Sequence, residues 1–451
     1  MAEDDNSEGS APASEAEDST SQAGKDTQAH RNLFISLLLT ALVAPAMACC
    51  ATGPFARAYW YLHPEMVHFF PVAIPGLHLY NEGDLIPLAT LFGVGVFGLV
   101  SLLLRPRWLP AMGLAGLGIS LFAMFAAGYD GQSYLMSGLF FGGASSRAFV
   151  YAAIIGLSAM AASSTSGVRG LIMLTLVYCG IKVGAYMGSV NFEHSPLIPH
   201  QTGLFLSGVL LLLAAFLAVA YSVSRRIWHS SPETPIFSPL PYGMNLASGL
   251  LLALCLAMGW EFFTLFGHTQ VSWGSPKTVV YGLEWLVELL GLGYDAQVSL
   301  LYFIRCAMNV VTIAVGLCAS LLLLLCHKRD LHVSPWWIYL AGALCWSLSA
   351  TLVIVFGPGP LGVLLFCIGE ILVFVGAFGS IARGLHWRAV GVYIALLLGL
   401  TPLIQVLFRN QFYEMTSHGT TGLAWITLIL LLISMGWGLV QLVLFRTRRE
   451  A

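Results

Sequence analysis

Residues 224–243 read SRRIWHSSPETPIFSPLPYG, a polar stretch in a chain that is apolar on both sides of it. Pro232, Pro235, Pro239 and Pro241 forbid a helix through it, because proline lacks the amide donor and clashes with the preceding turn. Six apolar runs precede this stretch and six follow it. In the first half they are 33–52, 85–104, 108–127, 134–162, 168–188 and 203–223. In the second they are 244–266, 297–325, 335–356, 359–382, 389–408 and 421–445. Runs of this length are the signature of helices that cross a bilayer. The fold class expected is therefore an all-α polytopic membrane protein, with twelve transmembrane helices in two six-helix bundles.

Composition supports a membrane solvent. Of 451 residues, 57% are hydrophobic and 9% charged, whereas a soluble domain carries about a quarter charged residues. There is no room for a soluble enzymatic domain, and the reading is of a non-enzyme. The net charge of −2, with no basic helix or stripe, argues against a nucleic-acid partner. No phosphate-binding GxxxxGK[ST], nucleophile elbow or HExxH helix occurs, so no cofactor is expected. The nine cysteines form no CxxC pair and lie almost wholly inside apolar runs, as small packing residues do. Histidines 63, 68, 78, 194, 200, 268 and 418 fall in connections on one side without a metal-ligand spacing, so no metal site is expected.

Residues 1–32 are rich in Ser, Ala, Asp and Glu and bury too little apolar surface to fold alone, so they read as a disordered acidic tail. No basic start, short apolar core and cleavage site precede Leu33, so the first run is expected to stay in the protein. Orientation follows from Lys and Arg placement. The tails and even-numbered connections hold Lys25, Arg31, Arg105, Arg107, Arg169, Arg225, Arg226, Lys328, Arg329, Arg383, Arg388, Arg446, Arg448 and Arg449, and the odd-numbered connections hold only Arg57, Lys277 and Arg409. Fourteen against three puts both termini and the 224–243 loop in the cytoplasm, in a cell (inner) membrane. The organisation expected is a tail at 1–32, a bundle at 33–223, a loop at 224–243, a second bundle at 244–445 and a short tail at 446–451.

Loop lengths suggest a duplication. The first run of each half is followed by a long external connection, 53–84 and 267–296, and the second leads to a short basic turn, Arg105-Pro106-Arg107 or His327-Lys328-Arg329-Asp330. Residues 280–290 read as a short interfacial helix, with Glu284 and Glu288 on one face and Trp285 at the lipid boundary.

This arrangement resembles the major facilitator superfamily of secondary transporters, over residues 33–445. Arg105 and Arg107 stand where that family carries a basic motif between its second and third spans, without the motif's Asp and glycines. Gly180, Gly184 and Gly188 are similar to the closely spaced glycines of its fifth span, and small residues at every fourth position also let helices pack closely. The resemblance implies that spans one, four, seven and ten line a central cavity and that two, five, eight and eleven join the halves.

Five ionisable residues lie inside spans: Arg147, Lys182, Glu261, Arg305 and Glu370. Each costs a few kcal/mol in hydrocarbon, about 2.5–3.5 on insertion scales, and such residues mark pathways and relays. They fall in spans four, five, seven, eight and ten. Arg147 and Glu370 lie mid-span, with Arg147 a candidate for a substrate carboxylate and Glu370 for a coupling proton. Glu261, also a substrate or proton-coupling candidate, would bridge the gate candidates Lys182 and Arg305 in the outer half. Permanent structural pairing is the competing reading, but three cations and two acids leave one cation for a ligand or water. Aromatic residues around Glu261 (Trp260, Phe262, Phe263, Phe266) could stack on an organic solute or fill the core. The function expected is secondary active transport of a small organic solute by alternating access, coupled to protons. The partners are the lipid bilayer, the solute and protons. The alternative is a transporter-like membrane sensor without transport activity, acting through a protein partner.

Overall fold

The computed structural model describes residues 82–104, 108–127, 134–164, 167–193, 200–223, 294–329, 331, 333–356, 360–382, 387–417 and 421–450. The expected spans 33–52 and 244–266, the 224–243 loop, the acidic tail and the 280–290 segment lie outside these residues. Among the described residues there are ten helices: α1 Glu82–Leu103, α2 Leu109–Ala127, α3 Tyr134–Ser164, α4 Gly167–Glu193, α5 His200–Val223, α6 Tyr294–Lys328, α7 Pro335–Phe356, α8 Pro360–Ala382, α9 Trp387–Ser417 and α10 Thr421–Glu450. Each overlaps one expected span. No water is present in hydrocarbon to complete backbone hydrogen bonds, so a spanning segment satisfies them within its own helix. Among the described residues, six helices are long and apolar enough to cross a membrane. The 22 residues of α1 extend about 33 Å at 1.5 Å per residue, matching a hydrocarbon core about 30 Å thick.

Chain breaks follow the sequence. Proline opens α7 and α8 at Pro335 and Pro360, where its missing amide hydrogen is not needed. α3, α6, α9 and α10 are the longest helices, with 31, 35, 31 and 30 residues. Small residues in the middle of α3 admit a neighbour: a Cβ at Gly93 of α1 would collide with the Ser145 carbonyl of α3, so these backbones touch.

The packing repeats. α2 pairs with α5 as α7 pairs with α10. α2 also packs on α3 as α7 packs on α8, and α1 on α3 as α6 on α8. The contact of α1 with α9 maps, on the same shift of five helices, onto that of α6 with α4. The two last contacts form two seams between the first five helices and the last five. Along the first, Ser101 meets Gly391, Gly98 meets Ala395, and Leu91 and Val94 meet Gly399, an antiparallel register. Along the second, a Cβ at Gly316 of α6 would meet the side-chain ends of Cys179 of α4 and Ile371 of α8, so glycine lets the three helices approach without displacing either.

The core runs through α3 and α8. Val150, Ala152, Ala153, Ile154 and Ile371 are fully buried. The peripheral helices turn Leu321, Leu324 and Leu325 of α6 and Ile429, Leu432 and Ile433 of α10 outward. Exposed apolar faces of that extent fit contact with lipid.

Candidate functional site: a buried ion pair between two helices

Tyr178 and Lys182 are four residues apart on α4, so they share a face one turn from each other. That face meets α8. Leu171 lies against Gly379, Tyr178 against Phe374 and Lys182 against Glu370, so rising numbers on α4 meet falling numbers on α8 and the helices are antiparallel. Glu370 is 7% exposed. Its Oε1 lies 2.5 Å from Lys182 Nζ and accepts a hydrogen bond from the Tyr178 hydroxyl at 2.5 Å. Its Oε2 faces the Thr312 hydroxyl of α6, a long hydrogen bond of 3.4 Å. Three helices therefore converge on one carboxylate: α4 from the first five, α6 and α8 from the last five.

The surroundings explain why the charge is stable there. A buried carboxylate needs a counter-charge and donors for its remaining lone pairs, and this one has an ammonium and two hydroxyls. The Tyr178 ring is held 4.2 Å from Phe374 centre to centre, which orients its hydroxyl. The Lys182 ammonium lies 5.6 Å from the Tyr178 ring centroid, within cation–π range. The pair is not sealed, since the Lys182 side chain retains 18% of its exposure.

Lys182 has an acidic contact that the expected gate did not include. By position along the spans, Lys182 belongs with Glu261 and Arg305 in an outer cluster and Glu370 lies deeper; in the structure Lys182 bridges Glu370. The reason is side-chain direction. Each Cβ tilts toward the start of its own helix, so on antiparallel helices Lys182 leans back toward Gly167 while Glu370 leans toward Pro360, and the two converge. Glu261 lies outside the described residues. Arg305 belongs to α6, seven residues before Thr312, but its side chain is not among those described.

Arg147 is half-buried on α3, one turn before Tyr151. Its place in the repeat is that of Glu370. Gly113 of α2 meets Phe149 and Val150 of α3, as Gly342 of α7 meets Leu372 and Val373 of α8. Arg147 precedes the first pair by the same two and three residues by which Glu370 precedes the second. The repeat thus sets a base and an acid at equivalent places in its two halves.

Tyr178 and Thr312 are the site residues that sequence reasoning missed. A tyrosine one helical turn before an intramembrane lysine was the available signal for Tyr178. Thr312 had none, since threonine in an apolar run commonly bonds its own helix. Beyond the site, the α4–α6 seam passes Cys179, whose Sγ lies 3.9 Å from the Ile313 carbonyl. It ends where Arg169 Nε donates to His327 Nε2 at 3.1 Å. A separate apolar cleft of about 250 Å³ between α1, α2 and α3 is lined by Phe92, Met112, Phe141 and Phe149, and none of the ion-pair residues lines it.

No protein-family profile and no curated protein matches the chain by sequence. Similarity lies in three dimensions. The fucose:proton symporter FucP of E. coli aligns with a TM-score of 0.54 over 88% of this chain and 98% of its own, at 12% identity. The human organic anion transporter MFSD10 (TETRAN) aligns with a TM-score of 0.54 over 91% of this chain and 98% of its own, at 14% identity. A bacterial homologue of the iron transporter ferroportin, in an outward-facing state, gives 0.51 over 91% and 98%, at 16% identity. The fold is that of the major facilitator superfamily transporters, and the chain is an integral membrane protein.

Proposed function

We propose that this chain is a secondary active transporter that moves a small organic solute across the membrane by alternating access, coupled to protons at Glu370. The observation that carries the reading is the buried Lys182–Glu370 pair, which ties helices of the two halves together near the middle of the bundle. Rocking of the halves must break such a tie, and a proton on Glu370 removes the attraction that holds it. The fold of a proton symporter and of an organic anion transporter supports the reading at the level of architecture.

In this reading residues 33–223 and 244–445 are the rocking bundles, 224–243 is their cytoplasmic tether, and both termini are cytoplasmic. The α4–α6 seam carries the Arg169–His327 contact at one end, and this reading takes that end as cytoplasmic from its basic connections. Arg147 faces the solute from the opposite half, as the counterpart of Glu370. Glu261 and Arg305 complete the cavity charges.

The test is solute accumulation in proteoliposomes with and without an imposed inward proton gradient. Gradient-driven uptake is expected for the natural chain and not for Glu370→Gln, which keeps counterflow at most. Proton-driven accumulation by Glu370→Gln at the wild-type rate would remove Glu370 as the proton carrier. Solute that binds but never crosses would point to a sensor instead.

A further inference from the structure

The apolar cleft between α1, α2 and α3 has no part in the ion pair, and its walls are built in advance. Gly93 brings the α1 backbone onto the Ser145 carbonyl of α3, and Gly113 brings α2 onto Phe149 and Val150. These close approaches lie one turn apart on α3, and about 250 Å³ stays open beside them. Phe92 and Phe141 meet with ring centroids 5.6 Å apart, and Phe149 is set edge-on against the buried Phe97 at 5.7 Å. Phe92 and Met112 are exposed. All three helices are apolar enough to cross a membrane along this stretch, so whatever enters the cleft comes from the bilayer.

One polar group breaks the apolar lining. Ser145 is 7% exposed, and among the described residues its hydroxyl has no hydrogen-bond partner. Ser158, Ser320 and Ser347 each donate to the carbonyl four residues earlier on their own helices, the usual outlet for a serine in an apolar span. Ser334 and Thr427 share the state of Ser145, and neither lines the cleft. Ser146, the other hydroxyl on the lining, faces α2, where a Cβ at Gly116 would stand 3.0 Å from it. A donor left unmade in a low-dielectric site is costly, and a serine hydroxyl takes a new acceptor by one rotation about Cα–Cβ.

We infer that this cleft is a binding site for a bilayer-dissolved aromatic compound that carries a carbonyl oxygen. Its rings are held among Phe92, Phe141 and Phe149, and its oxygen accepts from the Ser145 hydroxyl. Neither water nor a phospholipid chain fits as well. A buried water needs about two to four polar partners, and the lining offers two hydroxyls, one of them turned to α2. A phospholipid chain brings no polar atom to this depth. Ser145 stands seven residues inside the Gly138–Met160 span, about 10 Å at 1.5 Å per residue, well below the headgroups of a hydrocarbon core about 30 Å thick. An aromatic ketone brings ring edges and faces for the three phenylalanines together with one acceptor. An apolar cavity of about 150 Å³ already takes up benzene, so this larger cleft accommodates a second ring or a substituent. The site lies within one half of the bundle, goes beyond the transport reading and does not depend on it.

The experiment uses the full chain in lipid nanodiscs with benzophenone as the probe, an aryl ketone that inserts into nearby C–H bonds on irradiation. Adducts are mapped by peptide mass spectrometry. Labelling should saturate and concentrate on the peptides of α1, α2 and α3 that carry Phe92, Met112 and Phe141. Acetonaphthone should displace the probe. Isopropenylnaphthalene, in which a methylene group replaces the carbonyl oxygen, should displace it about fivefold less well, the size of one hydrogen bond. Ser145→Ala removes a hydroxyl with no described partner to lose, so the fold should hold and the two competitors should become equal. Val96→Phe fills the cleft from α1 and should abolish saturable labelling of those peptides. Labelling that never saturates and marks the lipid-facing α6 and α10 as strongly would overturn the inference, as would equal displacement by ketone and alkene in the natural chain. Neither of these results needs a variant to fold. A preference for the ketone that persists in Ser145→Ala would overturn the role given to its hydroxyl.

Discussion

Removing one member of the Lys182–Glu370 pair should cost far more than removing both. In Lys182→Met the apolar stem stays and the ammonium goes, so Glu370, 7% exposed, is left as an uncompensated buried carboxylate. Breaking a buried pair in this way costs about 3–5 kcal/mol. The hydroxyl of Tyr178, at 2.5 Å, still serves the carboxylate, and a hydrogen bond to a charged group is worth about 1.5–3 kcal/mol. The single variant should therefore fall near the lower end, about 3 kcal/mol. Glu370→Leu, which strands the ammonium instead, should cost a similar amount, eased by the 18% exposure of Lys182. The double variant removes both charges and their desolvation together, so it should lie within about 2 kcal/mol of the natural chain. The assay is equilibrium unfolding in detergent micelles of all four proteins, followed by helical circular dichroism. A coupling energy of several kcal/mol is expected. Additivity within about 0.5 kcal/mol, the behaviour of independent sites, would refute direct pairing.

Three further outcomes follow from the seams. Gly316→Leu drives a side chain into Cys179 and Ile371 and should destabilise by about 1–3 kcal/mol or more, with a parallel fall in the melting temperature of the purified protein. In Gly98→Cys with Ala395→Cys, a Cβ at 98 lies 2.7 Å from the Ala395 Cβ. A small outward shift reaches the separation of about 3.5–4.5 Å that a disulfide spans, so mild oxidation should cross-link α1 to α9 and stop solute flux until a reductant is added; full flux in the cross-linked protein would show that this seam need not open. Arg169→Ala should change unfolding stability by no more than about 1 kcal/mol, because its contact to His327 is exposed, and a larger loss in the same unfolding assay would mean the contact carries more than a surface hydrogen bond.

Helix positions were legible because each long apolar run has one way to satisfy its backbone in lipid, and proline and arginine mark the breaks. The ionisable residues were legible too, since Lys182 and Glu370 stand out against their apolar neighbours. Their pairing was not. Counting residues along a span gives the depth of a Cα, whereas an ion pair depends on where the far end of a side chain lies, and Cβ tilt on antiparallel helices shifts the two ends in opposite directions. Helix direction along the chain could have supplied that correction for α4 and α8. Which helix faces which, and the approach of α6 at Gly316 that delivers Thr312, depends on packing between segments more than a hundred residues apart.

The pseudo-symmetry sharpens what kind of site this is. A duplicated bundle begins with the same residue at equivalent positions, so like charges would face each other across the axis. Here α3 has Arg147 where α8 has Glu370, and α4 supplies Lys182 on the acid's side. The two described halves thus carry opposite charges at equivalent places of the repeat, and the acid of one half is paired with a lysine of the other, so the contact between them is a product of divergence after the duplication and not of its symmetry.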